Sequence, residues 1–356
     1  MTGASPVHGH TAKAIPTPLQ MKNNLPGNAR AHALVARSRR DIRQIIRRCD
    51  DRLLVIVGPC SIHDTRAALL YADRLVSIRQ EFSADLEIVM RAYFEKPRTR
   101  TGWKGLLYDP VIDGSCDIEN GVRTARSLLT RLTELGMPVA TEFLSPVSAH
   151  YLSDLVSWGA IGARTTESQI HRELASGLPC PIGFKNSTDG NVKIAIDALY
   201  AAGTRHQYLG VTDAGQFARI STSGNPDCHL VLRGGARPNY DAPSVGTSCG
   251  ALALAGLEQR VVIDASHGNS GKNHANQVPV CDVIAEQISE GEQRIVGVMI
   301  ESNLLAGRKD HIAGESGPFG MSITDACIGW ADTARVLERL AKSTSSRRTV
   351  ARYQNA

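Results

Sequence analysis

Short apolar runs alternate with longer amphipathic stretches along most of the chain. The apolar runs have the length of buried β-strands and cover residues 53–57, 87–90, 139–140, 160–163, 182–184, 229–232, 261–263 and 296–300. Helical spacing separates most of them, at residues 65–81, 118–135, 147–158, 168–174, 191–202, 244–255, 280–290 and 324–341. Eight strand–helix repeats predict an α/β fold of the (β/α)8 TIM-barrel type. An open doubly wound sheet is the alternative, but the first strand–helix turn lacks a GxGxxG fingerprint.

Three segments fall outside this repeat. Residues 206–222 alternate around a central turn and predict a β-hairpin inserted between units five and six. Residues 1–28 are rich in proline, glycine and small polar side chains, which predicts an arm without a core of its own. The polar tail at 343–356 is expected to fray. These patterns divide the chain into an N-terminal extension at 1–49, a barrel at 50–342 and the tail.

Residues 29–49 predict an amphipathic helix that is strongly basic outside its apolar stripe. The stripe comprises Leu34, Val35, Ile42, Ile45 and Ile46, and seven arginines cover the other faces. Such a helix is able to bind RNA, but no aromatic residues interleave for base stacking. We therefore favour a solvated outer face over a nucleic-acid site.

The amino-acid composition favours a globular protein over a membrane or secreted one. A hydrophobic fraction of 42% with 21% charged residues is typical of a globular chain, and no apolar run reaches the ~18 residues of a membrane span. The N-terminus lacks the basic start and apolar core of a secretory signal. Eight cysteines without a CxxC pair indicate reduced thiols and predict a cytoplasmic location. A net charge of +5 fits an anionic small substrate as well as nucleic acid.

Residues 160–186 form the most informative unit, a strand, a short helix and a second strand. Each strand ends on a cation, Arg164 in one case and Lys185 in the other. Neighbouring parallel strands of a βαβ unit end at the same edge, so the two cations are expected side by side. Two adjacent cations predict a bound anion, most simply a phosphate or a carboxylate.

The other predicted strands also end on ionisable or metal-binding groups. In a barrel of this type, chemistry lies at the carboxyl ends of the strands. A single such residue is most simply a surface charge, but eight at one rim predict a site. The set comprises Cys60, Arg91, Glu142, Arg164, Lys185, Arg233, His267 and Glu301, with Lys96, Pro97, Arg98 and Thr99 after strand two and Asp325 at the expected start of the last helix.

These residues divide into two chemical groups. Cys60, His267, Glu301 and Asp325 offer the mixed sulfur, nitrogen and oxygen donors that first-row divalent metals accept. The six cations (Arg91, Lys96, Arg98, Arg164, Lys185 and Arg233) would repel one another without anions, and arginine suits phosphate and carboxylate. A metal beside two anion pockets predicts a reaction that joins two anionic small molecules, with the metal polarising a carbonyl.

Several long motifs closely resemble one family. They are GPCSIHD at 58–64, RAYFEKPRTRTGWKG at 91–105, GARTTESQIHRELASGLPCPIGFKN at 162–186, LRGGARPNY at 232–240, DASHGNS at 264–270 and ITDACIGW at 323–330. In this order they resemble the class I 3-deoxy-D-arabino-heptulosonate 7-phosphate (DAHP) synthases, over residues of about 50–340. The resemblance implies a (β/α)8 barrel that condenses phosphoenolpyruvate with erythrose 4-phosphate at a divalent metal (Mn²⁺, Fe²⁺, Co²⁺ or Zn²⁺), the first step of the shikimate pathway.

The resemblance also implies roles for individual residues. The metal ligands are expected to be Cys60, His267, Glu301 and Asp325. The phosphoenolpyruvate pocket is expected to comprise Arg91, Lys96, Ala163, Arg164, Lys185 and Arg233, with Glu142 close by, and the erythrose 4-phosphate clamp Lys96, Pro97, Arg98 and Thr99. Lys96 is the expected acid for the new hydroxyl, and His267 or Glu142 is expected to handle water. Family members form homodimers or homotetramers, and we expect one of these here.

The sequence departs from the family at the expected effector pocket. The first 25 residues contain no Asp, Glu or Arg, although feedback-inhibited members carry such a patch there. Pro179 replaces a small hydroxyl residue, and Gly210 has no side chain to bind an effector. We therefore expect weak or no inhibition by phenylalanine or tyrosine, with tryptophan sensitivity left open.

Three other functions stay open from the sequence. One is a sister synthase that uses another phosphosugar such as arabinose 5-phosphate, although the KPRT block favours the four-carbon aldehyde. Another is a non-catalytic barrel that binds a phosphosugar, which the complete set of metal donors disfavours. The last is RNA binding through residues 30–48, for which no folded nucleic-acid module is evident.

Overall fold

The computed structural model describes residues 11–310 and 317–354, with side chains to residue 352. Its eight barrel strands are β1 (Leu53–Gly58), β2 (Leu86–Arg91), β3 (Val139–Glu142), β4 (Trp158–Ile161), β5 (Ile182–Lys185), β8 (His229–Leu232), β9 (Val261–Asp264) and β10 (Ile295–Glu301). All of their pairings are parallel, in the order β1-β2-β3-β4-β5-β8-β9-β10, and β1 pairs with β10 to close the barrel. The predicted (β/α)8 barrel is confirmed.

Helices surround the strands and extend the chain before them. They are α1 (Pro18–Asn24), α2 (Ala29–Ile46), α3 (Thr65–Glu81), α4 (Ile118–Glu134), α5 (Pro146–Leu152), α6 (Gln169–Gly177), α7 (Lys193–Ala202), α8 (Ala242–Leu254), α9 (Gln277–Ser289) and α10 (Trp330–Gln354). Residues 153–155 and 274–276 form short 3-10 turns. Among the described residues, no helix combines the length and apolarity that a membrane crossing needs.

The inserted hairpin lies between α7 and β8, as the sequence predicts. It consists of β6 (His206–Val211) and β7 (Phe217–Thr222), which pair antiparallel with each other alone. At its turn, Asp213 accepts hydrogen bonds from Lys22 at 2.7 Å and bonds His150 Nδ1 at 2.8 Å. The hairpin is therefore fastened by its tip to α1 and α5.

Helix α2 covers the amino-terminal end of the barrel. Ile42, Ile45 and Ile46 are buried in one cluster with inward-facing strand residues such as Leu54 and Val296. The predicted apolar stripe is thus buried, and the burial of these side chains holds the helix in place.

Three of the seven arginines of this basic segment make contacts within the protein. Arg39 donates to the carbonyls of Ser153 and Val156, and both Arg43 and Arg47 form ion pairs with Asp227. These contacts favour the prediction of an outer helix face over an RNA site, because part of the positive charge is already balanced.

The C-terminal tail differs from the sequence prediction. It does not fray at residue 343, because α10 continues to Gln354 with Ser343, Thr344 and Arg347 buried. Their polar groups bond backbone carbonyls, as Thr344 does to Leu340 at 2.9 Å, so a polar sequence is compatible with burial here. Residues 355–356 lie outside the described part.

Several element boundaries also differ from the prediction, and two of them lie beside the expected site. Strand β4 begins at Trp158 and ends before Gly162, where the prediction had residues 160–163. The last helix begins at Trp330, so Asp325 lies in the loop before it and does not open it. That loop is held by bridges such as Gly307 to Cys327, which polarity and helical spacing along the sequence do not reveal.

Candidate active site

The carboxyl ends of the barrel strands surround a cavity of about 1060 Å³. It is lined by most of the residues predicted from the sequence, namely Lys96, Pro97, Arg98, Thr99, Glu142, Ala163, Arg164, Lys185, Arg233, His267, Glu301 and Asp325. Cys60 and Arg91 are buried and contact this set, Cys60 through Lys96 and Arg91 through Glu301. The structure therefore brings every predicted site residue to one end of the barrel.

Three predicted metal donors converge. Cys60, Glu301 and Asp325 each place one donor atom within 4.8 Å of the other two. Barrel closure explains two of them, because Gly58 at the end of β1 pairs with Glu301 at the end of β10. Asp325 comes from the loop before α10, and its Oδ2 lies 3.4 Å from the Cys60 sulfur.

The fourth predicted donor, His267, lies beside this group. Its Nε2 is 3.9 Å from Glu301 Oε1, while its Nδ1 lies 3.0 Å from Asp264 Oδ2 and 2.7 Å from Ser266 Oγ. The backbone of His267 has a φ of 57°, a left-handed conformation that costs a non-glycine residue about 1 kcal/mol. The ring is thus oriented by Asp264 and Ser266, with Nε2 turned toward Glu301.

The chemistry of these donors fits a divalent metal. A thiol, two carboxylates and an imidazole form a mixed set typical of first-row ions. Burial, followed by the charge of Glu301, raises the pKa of Cys60 to about 12. A bound dication reverses that effect, because coordination favours the thiolate. The site therefore has enough negative charge to hold a dication once Cys60 is deprotonated.

Lys96 bridges the metal donors and the cationic half of the pocket. Its ammonium lies 3.1 Å from the Cys60 sulfur and 3.9 Å from Asp325 Oδ2. Burial alone lowers the pKa of Lys96, but the neighbouring Cys60, Asp325 and Glu301 outweigh it and raise the pKa above its ordinary value, which favours the ammonium form.

Arg91 offers an unused hydrogen-bond donor beneath the pocket. The side chain is 1% exposed, and its Nη2 lies 3.1 Å from Glu301 Oε1. Its guanidinium carbon is 4.0 Å from the centre of the Tyr93 ring. Nη1 is buried and has no hydrogen-bond partner among the described residues. Such buried donors are rare in folded proteins, and this one is available to a ligand.

Lys185 is already neutralised within the protein. Its ammonium lies 2.7 Å from Asp264 Oδ2, and both side chains are buried. Although burial raises the pKa of Asp264, Lys185 and His267 overcome that effect and hold it well below its usual range. Sequence reasoning missed Asp264, although it ends β9 at the start of the DASHGNS motif. Lys185 thus has a counter-charge within the protein, contrary to the expectation that it needs an external anion, while the anion expected at Arg164 stays a prediction.

The position of the Glu142 carboxylate depends on the absence of a side chain at Gly162. It ends β3 and is 9% exposed. A Cβ at Gly162 would lie 2.2 Å from Glu142 Oε1, so any other residue at 162 would displace the carboxylate. Gly162 is a second residue that sequence reasoning missed, and its place directly after β4 was the available signal.

A separate cavity of about 760 Å³ lies next to the hairpin. Pro179, which the sequence places at the expected effector pocket, lines this cavity, whereas Gly210 is not among the lining residues. Ala149, His150 and Tyr208 also line the cavity, together with Gly177 and Leu178. Leu209 instead faces outward and is 82% exposed.

A sequence model described as the DAHP synthetase I family matches residues 23–338. The chain belongs to this family. The match spans all eight barrel strands and every residue of the candidate site. The part of α10 beyond residue 338 lies outside it.

The names of three similar proteins agree with the family assignment. The Phe-sensitive phospho-2-dehydro-3-deoxyheptonate aldolase of Escherichia coli (strain K12) is 52% identical over 336 residues, which cover 94% of this chain and 96% of that protein. The Trp-sensitive aldolase of the same strain is 48% identical over 335 residues, with coverage of 94% and 96%. The Haemophilus influenzae aldolase is 49% identical over 332 residues, covering 93% and 92%.

A solved structure shares the whole architecture. The phospho-2-dehydro-3-deoxyheptonate aldolase from Francisella tularensis SCHU S4 superimposes with a TM-score of 0.93 at 45% identity. The superposition covers 95% of this chain and 98% of that one. The two folds therefore agree over nearly the whole of both chains.

Proposed function

We propose that this member of the DAHP synthetase I family condenses phosphoenolpyruvate with erythrose 4-phosphate and water to give DAHP and phosphate. The observation that carries the proposal is one cavity in which three converging metal donors adjoin a set of cations. One substrate brings a phosphate and a carboxylate, and the other brings a phosphate and an aldehyde. Arginine forks match the anions, and a metal site beside them matches the aldehyde.

The phosphoenolpyruvate pocket is proposed at Arg91, Ala163, Arg164, Lys185 and Arg233. Arg164 and Arg233 form no ion pair with a carboxylate among the residues described, so their charges are available to the substrate. Arg91 adds its unpartnered Nη1 from below. Together these donors fix the phosphate and carboxylate and so orient C3 of the enol for attack.

The erythrose 4-phosphate clamp is proposed at Lys96, Pro97, Arg98 and Thr99. Arg98 Nε donates to the Trp103 carbonyl at 2.7 Å, which holds its guanidinium at the rim of the cavity. A phosphate at this rim would place the four-carbon chain toward Lys96 and the metal donors. The aldehyde then lies where the Lys96 ammonium is within reach of its oxygen.

The metal is proposed to bind Cys60, His267, Glu301 and Asp325. When bound, it supplies Lewis-acid polarisation of the aldehyde carbonyl. Asp264 and Ser266 orient the His267 ring for this role. The donor set accepts Mn²⁺, Fe²⁺, Co²⁺ or Zn²⁺.

Side chains of this protein are proposed to donate and accept the protons of the reaction. C3 of phosphoenolpyruvate bonds to the aldehyde carbon, and Lys96 donates a proton to the oxygen that becomes the new hydroxyl. Water then adds at C2 and gives up a proton to Glu142, because His267 is occupied by the metal and by Asp264. The tetrahedral centre collapses to the C2 ketone, and its C–O bond breaks to release phosphate.

A turnover assay of the full chain with added Mn²⁺ tests the proposal. We expect DAHP from erythrose 4-phosphate and no corresponding product from arabinose 5-phosphate. Arg164→Gln should raise the KM for phosphoenolpyruvate, and Arg98→Gln the KM for erythrose 4-phosphate, each by about tenfold. Arg335→Gln, an exposed change on α10, is the control. Product from the five-carbon sugar alone, or no turnover with any metal, contradicts the proposal.

We further propose that the protein is a cytoplasmic homodimer or homotetramer. All eight cysteines are free thiols, which supports a reducing compartment. Leu209 and Phe217 on the outer face of the hairpin are 82% and 85% exposed, and such apolar side chains favour contact with a second copy. Light scattering of the wild type and of Leu209→Lys tests this: a monomeric wild type contradicts it.

A further inference from the structure

A second cavity of about 460 Å³ lies at the opposite end of the barrel from the active site. Arg52 directly precedes β1, and Gln293 precedes β10, so both mark the amino ends of the strands. The end of α2 and the last turns of α10 complete the walls. The lining is rich in arginine, with Arg48, Arg52, Arg347, Arg348 and Arg352.

Two of these arginines are paired with carboxylates. Arg52 lies 2.6 Å from Asp50 and also pairs with Asp41 and Glu87. Arg348 lies 2.8 Å from Asp51 and also pairs with Asp85. The other three, Arg48, Arg347 and Arg352, make no ion pair with a carboxylate in the part of the chain described. Three guanidinium groups of the lining therefore have no carboxylate in direct contact.

Arg347 gives the strongest evidence for an anion site among the three, because its side chain is buried, at 7% exposed. Its guanidinium donates to the carbonyls of Ile295 at 3.1 Å, Glu292 at 3.4 Å and Asp51 at 2.8 Å. These carbonyls satisfy the hydrogens, and the charges of Asp51 and Glu292 act on the guanidinium without forming an ion pair with it. Burial lowers the pKa of Arg347, as expected for a cation removed from water. An anion in the cavity would complete its environment.

Arg48 occupies a backbone position that normally favours glycine. It follows the end of α2 with a φ of 56°, a left-handed conformation that helices commonly close with glycine. A side chain there is strained, yet this chain places a cation at that point and directs it to the cavity. The arginine thus makes the helix end less favourable and the cavity more basic.

The wall formed by α10 lies outside the family match. That match ends at residue 338, whereas Arg347, Arg348 and Arg352 come later. The cavity therefore depends on a segment of this chain that the family model does not describe.

We propose that this cavity binds the phosphate group of a small anionic metabolite. Its volume lies within the range of small-molecule sites. Guanidinium forks match phosphate oxygens, and three of them lack a carboxylate. Ile45, Val296 and Ala351 supply an apolar surface for an organic body attached to the phosphate. Inorganic phosphate shares the same chemistry, so both ligands belong in the test.

Hydrogen–deuterium exchange of the full chain locates the binding, because it separates this cavity from the active site. The probes are inorganic phosphate and ribose 5-phosphate. We expect either to slow exchange in residues 343–352 and 46–52 of the wild type. Arg48→Gly and Arg352→Gln should each weaken this protection by about tenfold, as expected for loss of a charged hydrogen bond. Arg48→Gly also relieves the backbone strain, so this variant should fold normally.

Arg40→Gln is the matched control, since Arg40 is exposed on α2 and does not line the cavity. It should behave as the wild type does. Tighter binding of ribose 5-phosphate than of phosphate shows that the organic body contributes, and equal binding shows that only the phosphate is recognised; both support the proposal. Protection confined to active-site segments, or unchanged protection in Arg48→Gly and Arg352→Gln, overturns it.

Discussion

The Lys185 ammonium lies 2.7 Å from the Asp264 carboxylate, and both are buried at the floor of the active-site cavity. Asp264 also lies 3.0 Å from His267 Nδ1. One carboxylate therefore connects the cationic half of the site to the metal-binding half. Its charge neutralises Lys185, and its position orients the imidazole that turns toward Glu301.

Removing the Asp264 charge should destabilise the fold as well as the site. Asp264→Asn leaves Lys185 buried without a counter-charge, which costs about 3–5 kcal/mol in the free energy of unfolding. Urea denaturation measures the loss. Turnover should fall too, because His267 loses its charged partner.

A double variant distinguishes charge from packing in this pair. Lys185→Met with Asp264→Leu removes both charges, so most of the unfolding free energy should return while turnover stays abolished. If the double variant is as unstable as Asp264→Asn, the unpaired charge is not the cause of the instability.

Replacing Cys60 should remove the metal. Cys60→Ala deletes the sulfur donor, and we expect the affinity for Mn²⁺ to fall by more than about 100-fold, with a parallel loss of kcat. Equilibrium dialysis with metal analysis measures the first, and the turnover assay the second. Cys281→Ala, a buried cysteine in α9, serves as control. Near-full metal content and activity in Cys60→Ala would exclude this thiol from the metal site.

His229 should make stability depend on pH. Its Nδ1 donates to the Asp227 carbonyl at 3.1 Å, and its Nε2 accepts from Trp158 Nε1 at 3.1 Å, which fixes the neutral form. Burial lowers the pKa of His229 to about 4 from 6.5. Between these values the unfolded chain binds a proton that the folded chain does not.

The stabilisation from neutral His229 is therefore fully present above a pH of about 6.5 and is lost as the pH falls to about 4. The expected loss in unfolding free energy is roughly 3 kcal/mol. Denaturant melts across this range measure it. His229→Gln should flatten the profile, and His32→Gln, an exposed change on α2, should not. An unchanged slope in His229→Gln refutes the assignment.

Phenylalanine and tyrosine should inhibit this enzyme weakly or not at all, with tryptophan sensitivity left open. Pro179 lines the hairpin cavity and carries no hydroxyl, and its carbonyl already accepts from Arg43 at 3.2 Å. Gly210 has no side chain to offer an effector, and a Cβ there would meet Ile220 at 2.7 Å. Activity titrations with phenylalanine, tyrosine and tryptophan check this. Strong inhibition at micromolar phenylalanine contradicts it, and would place this chain with the Phe-sensitive relative.

The spacing of apolar and polar residues along the chain predicted most helices and strands, because it shows which side of each element is buried. The stripe of Ile42, Ile45 and Ile46 predicted α2, and the alternation in 206–222 predicted the hairpin. The prediction for the tail was wrong for the same reason. The polar residues Ser343 and Thr344 indicated solvent exposure, yet they are buried, and their hydroxyls bond carbonyls within α10.

The sequence by itself determined the barrel, the candidate residues at its carboxyl end and the family, since strand periodicity and the residues that end each strand are local features of the chain. The tertiary structure alone decided which charges are paired. Lys185 and Asp264 are 79 positions apart and meet only across the closed barrel. Arg347 and Arg48 likewise line one cavity only because α10 continues past the polar stretch and returns to the end of α2. An ion pair requires two charged groups to lie close together in space, and the separation of two residues along the chain does not show whether they do.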